Sequence, residues 1–148
     1  MKAKSIKGNS TEEIKKALGQ AMADDYKPTL AIVFISIKQD RKAVCELLNQ
    51  QGIDVIGATS AGEFINGHQS EGEGVLMLLD IAKTDDCILF EDIADRTLQD
   101  AAAKMANEAL KKFNKPAYIL CSSSLSVTGK MIDGETLIHS IEKLSGSD

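Results

Sequence analysis

Residues 54–63, Asp54-Val55-Ile56-Gly57-Ala58-Thr59-Ser60-Ala61-Gly62-Glu63, hold the groups best placed for chemistry. A short β-branched run ends in two hydroxyls, two small residues and a carboxylate. Gly57 and Gly62 let a backbone turn sharply and let a ligand approach main-chain N–H groups. In an α/β sheet, small molecules bind at such strand-end loops. Two more apolar runs end in hydroxyls. Ser36 follows Leu30–Ile35, and Ser122, Ser123, Ser124, Ser126 and Thr128 follow Ala117–Cys121. If the three runs are parallel strands, Ser36, Thr59, Ser60, Gly62, Glu63 and Ser122–Ser124 line one crevice. Backbone N–H groups there suit a ligand carboxylate and Glu63 suits an ammonium, so the expected ligand is small, polar, and neutral or zwitterionic. Ser and Thr also populate turns and caps without any ligand. Their gathering at one end of the strands favours a site.

Other chemistries fit less well. Ala58-Thr59-Ser60-Ala61-Gly62 resembles the Gly-x-Ser-x-Gly nucleophile elbow, with Ala in first place. A serine hydrolase or transferase using Ser60, with His139 and Asp133, is therefore the alternative. The elbow must lead into a helix, but Phe64-Ile65-Asn66-Gly67 has no helical period. Asp133 and His139 stand six residues apart on one helix, on opposite faces. The expectation is a domain without catalysis. A phosphate loop is also disfavoured: Gly129-Lys130 has Ser124 where the upstream glycine belongs, and Met131 in place of the hydroxyl. His68 and His139 are not spaced as a ligand pair, and Cys45, Cys87 and Cys121 match no zinc spacing. The cysteines read as small buried apolar residues. Glu71 and Glu73, flanking Gly72, read as solvated. No metal or cofactor is assigned.

The chain has 148 residues, enough for one domain with a substantial core. A net charge of −5 without a basic run lacks the footprint of a nucleic-acid binder. Met1-Lys2-Ala3-Lys4-Ser5 has no apolar core and is no secretory signal. The longest apolar stretches are too short to span a bilayer. An odd cysteine count fits a reducing compartment. A cytoplasmic location, away from membrane and nucleic acid, is the expectation.

The elements that must position the site follow from periodicity. Ser10-Thr11-Glu12-Glu13 is a capping box, and Ile14, Ala17, Leu18, Ala21 and Met22 continue at helical spacing. Thr29–Ile35 is a buried strand. Asp40 caps a second helix that Gly52 stops, and Asp54–Ala58 is the second buried strand. Phe64–Glu73 is irregular. Val75–Ile81 and Cys87–Ile93 read as strands joined too tightly for a crossover helix, hence as an antiparallel hairpin. Asp95 caps a third helix with Leu98, Ala101, Ala102, Met105, Ala109 and Phe113 on one stripe. Ala117–Cys121 is a further buried strand. Ser122–Ile132 is a loop, and Asp133 caps a last helix carrying Leu137, Ile138, Ile141 and Leu144. The fold class is α/β: a single layered domain over 1–148, with a mixed, mostly parallel sheet, helices on both faces and one antiparallel hairpin. The chain stops just after a helix, where an α/β order expects another strand, so a C-terminally truncated domain is expected.

From Thr29 to Leu144 the chain resembles the FIST N-terminal domain. Thr29-Leu30-Ala31-Ile32-Val33-Phe34-Ile35-Ser36 looks like its first core strand, ending Phe-x-Ser. Ile56-Gly57-Ala58-Thr59-Ser60-Ala61-Gly62-Glu63 is similar to its Gly-Cys-Ser-Thr-Ala-Gly-Glu signature, with Ala58 for Cys and Thr-Ser for Ser-Thr. Gly74–Leu79, Tyr118–Ser122 and Gly134–Ile138 resemble later segments. The resemblance implies a non-catalytic sensory domain of a bacterial signal-transduction protein. Amino acids or similar metabolites are the implied ligands, and some members are linked to haem and nitric oxide sensing. A C-terminal FIST domain, with a histidine kinase or chemotaxis-type signalling protein, is the implied company.

Overall fold

A computed structural model describes residues 1–93, 96–125, 129 and 131–146. Asp95, Ser126, Thr128 and Lys130, which the sequence reading used, lie outside these residues. The chain divides into two compact units, Met1–Ile88 and Leu89–Asp148.

The first unit is built on a four-stranded sheet. Its elements are β1 (Lys2–Gly8), α1 (Thr11–Ala21), β2 (Leu30–Ser36), α2 (Arg41–Gln50), β3 (Asp54–Ser60), β4 (Glu63–Ile65), β5 (His68–Ser70) and β6 (Gly74–Asp80). The strand order is β1-β6-β2-β3. β2 and β3 are parallel, as expected, joined through α2. β6 runs antiparallel to both β1 and β2. A mostly parallel sheet is therefore not what forms here: one of these three pairings is parallel.

Both caps appear at the expected residues. Ser10 Oγ accepts the Glu13 N–H at 3.3 Å, while Glu13 Oε2 reaches back to the Asn9 N–H at 2.8 Å. Asp40 Oδ1 accepts the Ala43 N–H at 3.0 Å. The apolar stripes of α1 (Ile14, Leu18, Ala21) and α2 (Val44, Leu47, Leu48) join Ala31, Val33, Ile35, Leu76 and Leu78 in one buried cluster. Both helices of this unit thus cover the same sheet face, whereas helices on both faces were expected.

Several expectations need correcting. Val75–Ile81 does not pair with Cys87–Ile93, which forms no strand; β6 takes β1 and β2 instead. β1 hides in a polar sequence because it is an edge strand. Only Ile6 and Gly8 of it are buried, and its lysines suit an unpaired edge. The stretch 63–70 is a hairpin, β4–β5. Its turn uses Asn66 at φ 47 and Gly67 at φ 80, the positive angles that an Asn-Gly two-residue turn supplies. The three cysteines are free and exposed, not buried.

The second unit contains α3 (Leu98–Lys112) and α4 (Gly134–Ser145). α3 is capped by Thr97, not Asp95, with Thr97 Oγ1 accepting the Asp100 N–H at 3.1 Å. Asp133 caps α4, as expected, accepting the Glu135 and Thr136 N–H groups. Ala102, Leu137 and Ile141 form its core, with Met105, Tyr118 and Leu120 against them. Ala117–Cys121 forms no strand. Its apolar alternation is used by Tyr118 and Leu120 in packing, and among the described residues this unit offers no strand for it to pair with.

Candidate functional site

Ser36 and Ser60 end β2 and β3 and are register partners across the parallel pair. Their side chains therefore emerge at the same carboxyl edge and on the same sheet face, opposite α1 and α2. Ser36 is buried, and its N–H donates to the Glu73 carbonyl at 3.0 Å. Thr59 is exposed and, one residue before Ser60, points to the helix-bearing side. Gly57 lies within β3 rather than at a turn. A Cβ there would stand 1.9 Å from the Val33 carbonyl oxygen, so glycine serves the close approach of β2 and β3.

Glu63 opens the hairpin and is 1% exposed. Its Oε1 accepts from Ser60 Oγ at 2.6 Å. Its Oε2 accepts the Gly72 N–H at 2.9 Å and the Glu73 N–H at 3.2 Å. One carboxylate therefore binds the end of β3 to the chain that leads into β6. Burial of such a charge is tolerable because donors surround it.

A second buried carboxylate, Glu73, sits beside the first. Sequence reasoning placed it in solvent. Its oxygens meet Lys7 Nζ at 3.1 Å, His68 Nε2 at 3.1 Å and Asn9 Nδ2 at 3.5 Å. Gln39 Nε2 adds bonds to the carbonyls of Asn9 and Gly72 at 2.5 and 2.6 Å. The Ser70 hydroxyl, then Lys7 and His68, hold the Glu73 carboxyl below its ordinary range, against burial that would raise it. Ser70 Oγ is buried with no partner in good hydrogen-bond geometry. The Lys7 ammonium, at a favourable distance, is the firmer cause. No sequence signal announces these long-range partners. The usable clue was the Asn66-Gly67 turn, which folds His68 back towards Glu73.

Beneath the hairpin lies a cavity of about 410 Å³. The sheet contributes Ser5, Ile32, Phe34, Val75 and Met77, the hairpin Phe64, Ile65 and Asn66, and Ser60, Gly62 and Glu63 close one end. This lining includes no His, Cys or Tyr, and Met77, its one residue of a type that ligates haem, has no His beside it in the lining. Among the described residues no group of three or more His, Cys, Asp or Glu is placed to hold a metal ion.

Ser122–Ser124 belong to the second unit and are exposed. Ser122 Oγ donates to the Ser123 carbonyl at 3.1 Å, and Ser123 Oγ to the Leu125 carbonyl at 2.6 Å. Here the hydroxyls serve a turn. His139 pairs with Glu142 and Glu135 on α4, at 3.0 and 3.5 Å. Glu142 first, then Glu135, raise its pKa above the ordinary imidazole range. Ser60 gives its proton to Glu63, and both histidines are engaged by carboxylates. The Ser60 hydroxyl is bonded to Glu63 and His139 to Glu142 and Glu135, so neither makes the serine–histidine bond that a triad uses.

A sequence model of the FIST N domain matches residues 29–147. The chain belongs to the FIST N domain family. FIST domains are sensory domains of signal-transduction proteins. The match begins at β2 and takes in the Ser36 and Ser60 strand ends, the Glu63 anchor and both helices of the second unit. No curated protein and no solved structure matches the chain. Among the described residues of this FIST domain, no helix is long and apolar enough to cross a membrane.

Proposed function

We propose that this chain is the small-molecule-sensing part of a cytoplasmic bacterial signalling protein, and that it binds its ligand without transforming it. The ligand site is the carboxyl edge of β2 and β3, with Ser36, Ser60, Gly62 and Glu63 as its polar end. The pairing of Ser36 with Ser60, of which Ser60 lines the cavity, is the observation that carries this reading. It puts hydroxyls at a strand edge next to a concave space, the arrangement that small-molecule sites favour. Glu63 acts there by fixing Ser60 and the hairpin, because its own oxygens already have three protein donors. Amino acids and related small metabolites remain the ligand class to test first. A signalling domain in the same full-length protein receives the output.

A thermal-shift screen of amino acids and small metabolites on the full-length gene product tests the proposal. A ligand that binds only the native state raises Tm by mass action, by an amount that grows with its concentration. Ser60→Ala should weaken the response. Absence of any saturable shift across the collection would count against a sensory site here.

A further inference from the structure

The cavity under the β4–β5 hairpin narrows the chemistry of the ligand, an inference that rests on the sensory reading above. Its walls are hydrocarbon: Ile32, Phe34, Val75 and Met77 on the sheet, Phe64 and Ile65 on the hairpin. Phe34 and Met77 are 43% and 45% exposed although they sit on the two central strands. Phe64 is 81% exposed. Apolar surface left open in a concave space favours an apolar occupant.

The polar end has a defined valence. A hydroxyl owns one proton, and Ser60 spends it on Glu63. Towards any further partner Ser60 Oγ can only accept. The cavity lining includes no lysine or arginine, and Lys7 Nζ is engaged by Glu73. A carboxylate or phosphate head at Ser60 would therefore meet lone pairs and a buried carboxylate, with no lysine or arginine in the lining to offset the repulsion. We infer that the site takes a small molecule with an aliphatic or aromatic body and a hydrogen-donating head: an ammonium, amide or hydroxyl. The body lies between Phe64 on the hairpin and Phe34 and Met77 on the sheet, and the head donates to Ser60. The hairpin gains packing from such a ligand. Of its own side chains only Glu63 is buried, so polar anchors rather than apolar contacts hold it down.

Calorimetric titration of the full chain with three matched series tests this: n-alkylammonium ions from methyl to hexyl, 1-alkanols and n-alkanoates of the same lengths. Glycine and serine serve as polar controls. The first two series should tighten roughly fourfold per added methylene, and the alkanoates should bind at least about tenfold more weakly at every length. The ammonium and alcohol arms separate charge from simple donation. Phe64→Ala, at an exposed position, should flatten the length dependence without unfolding the chain. Ser5→Trp, which fills the cavity from β1, should abolish it. Alkanoates binding as well as alkylammonium ions would overturn the head assignment. Tight binding of glycine or serine with no gain from added methylenes would overturn the inference and leave the sensory reading standing. If neither these series nor the amino acids bind, both fall together.

Discussion

Ser60 Oγ donates to Glu63 Oε1 across 2.6 Å, while Glu63 Oε2 holds the N–H groups of Gly72 and Glu73. The signature carboxylate is thus an internal anchor of the hairpin. Glu63→Ala leaves two backbone donors, one buried and one part-buried, and one hydroxyl without their acceptor. At about 1–3 kcal/mol for each unsatisfied group, and with two of the three donors only part-buried, a loss near the lower end, about 3 kcal/mol, is expected. Glu63→Gln keeps one acceptor and should cost about half as much. Urea unfolding of both variants measures this. A midpoint unchanged in Glu63→Ala would show that the anchor contributes nothing.

Gly57 is the least replaceable glycine in the sheet. An added Cβ would overlap the Val33 carbonyl oxygen at 1.9 Å, and backbone on a paired strand cannot move aside. Gly57→Ala should destabilise by about 4 kcal/mol or more, the range of severe core disruption. Gly19, with open space around its Cβ position, is the control. Gly19→Ala on α1 should be stabilising by up to about 1 kcal/mol. Equal melting temperatures for the two variants would contradict the close approach of β2 and β3.

The Glu73 cluster makes acid stability predictable in sign. Its folded pKa is depressed, by Ser70 first and then Lys7 and His68. The stability it contributes is therefore full above the ordinary glutamate value of 4.5 and is lost as pH falls through the lower folded value. Lys7→Met removes a cation at 3.1 Å and should move that loss to higher pH. Unfolding midpoints between pH 3 and pH 6 give the comparison. An identical profile in Lys7→Met would show that Lys7 does not govern the carboxyl.

His139 has the opposite sign. Its folded pKa is raised by Glu142 and Glu135, so its contribution is complete below the ordinary value of 6.5 and disappears as pH rises through the folded one. The imidazole proton resonances should titrate above 6.5 and return towards it in Glu142→Gln. Both partners are solvent-accessible, so the change in stability should be slight.

The strands that read clearly from sequence, β2, β3 and β6, are those whose side chains fill the core, because burial imposes an apolar run. β1 was illegible since an edge strand needs only Ile6 and Gly8 inside. β4–β5 was legible in principle: Asn66-Gly67 is a hairpin turn pair, but its flanks Phe64 and His68 are exposed and carry no alternation. Partner choice failed at β6, where a short connection to Cys87–Ile93 suggested a hairpin. Pairing with β1 spans more than sixty residues, and local spacing cannot report it. The site was half legible. Ser36 and Ser60 follow from parallel strands ending together, whereas Glu73, Lys7 and Asn9 meet only through the sheet order. Glu63 was found for its type and position, but whether it faces a ligand or its own backbone depended on the hairpin fold.

The account stands on the carboxyl edge of β2 and β3 being where a small molecule binds. Amide NMR of the full chain during titration with hexylammonium and with the pooled amino acids tests that most directly. The account predicts saturable shifts at Ser36, Ser60, Gly62, Glu63 and Phe64, with small changes in α1 and α2. Saturable binding whose shifts fall elsewhere, leaving Ser60 and its neighbours unmoved, would contradict it.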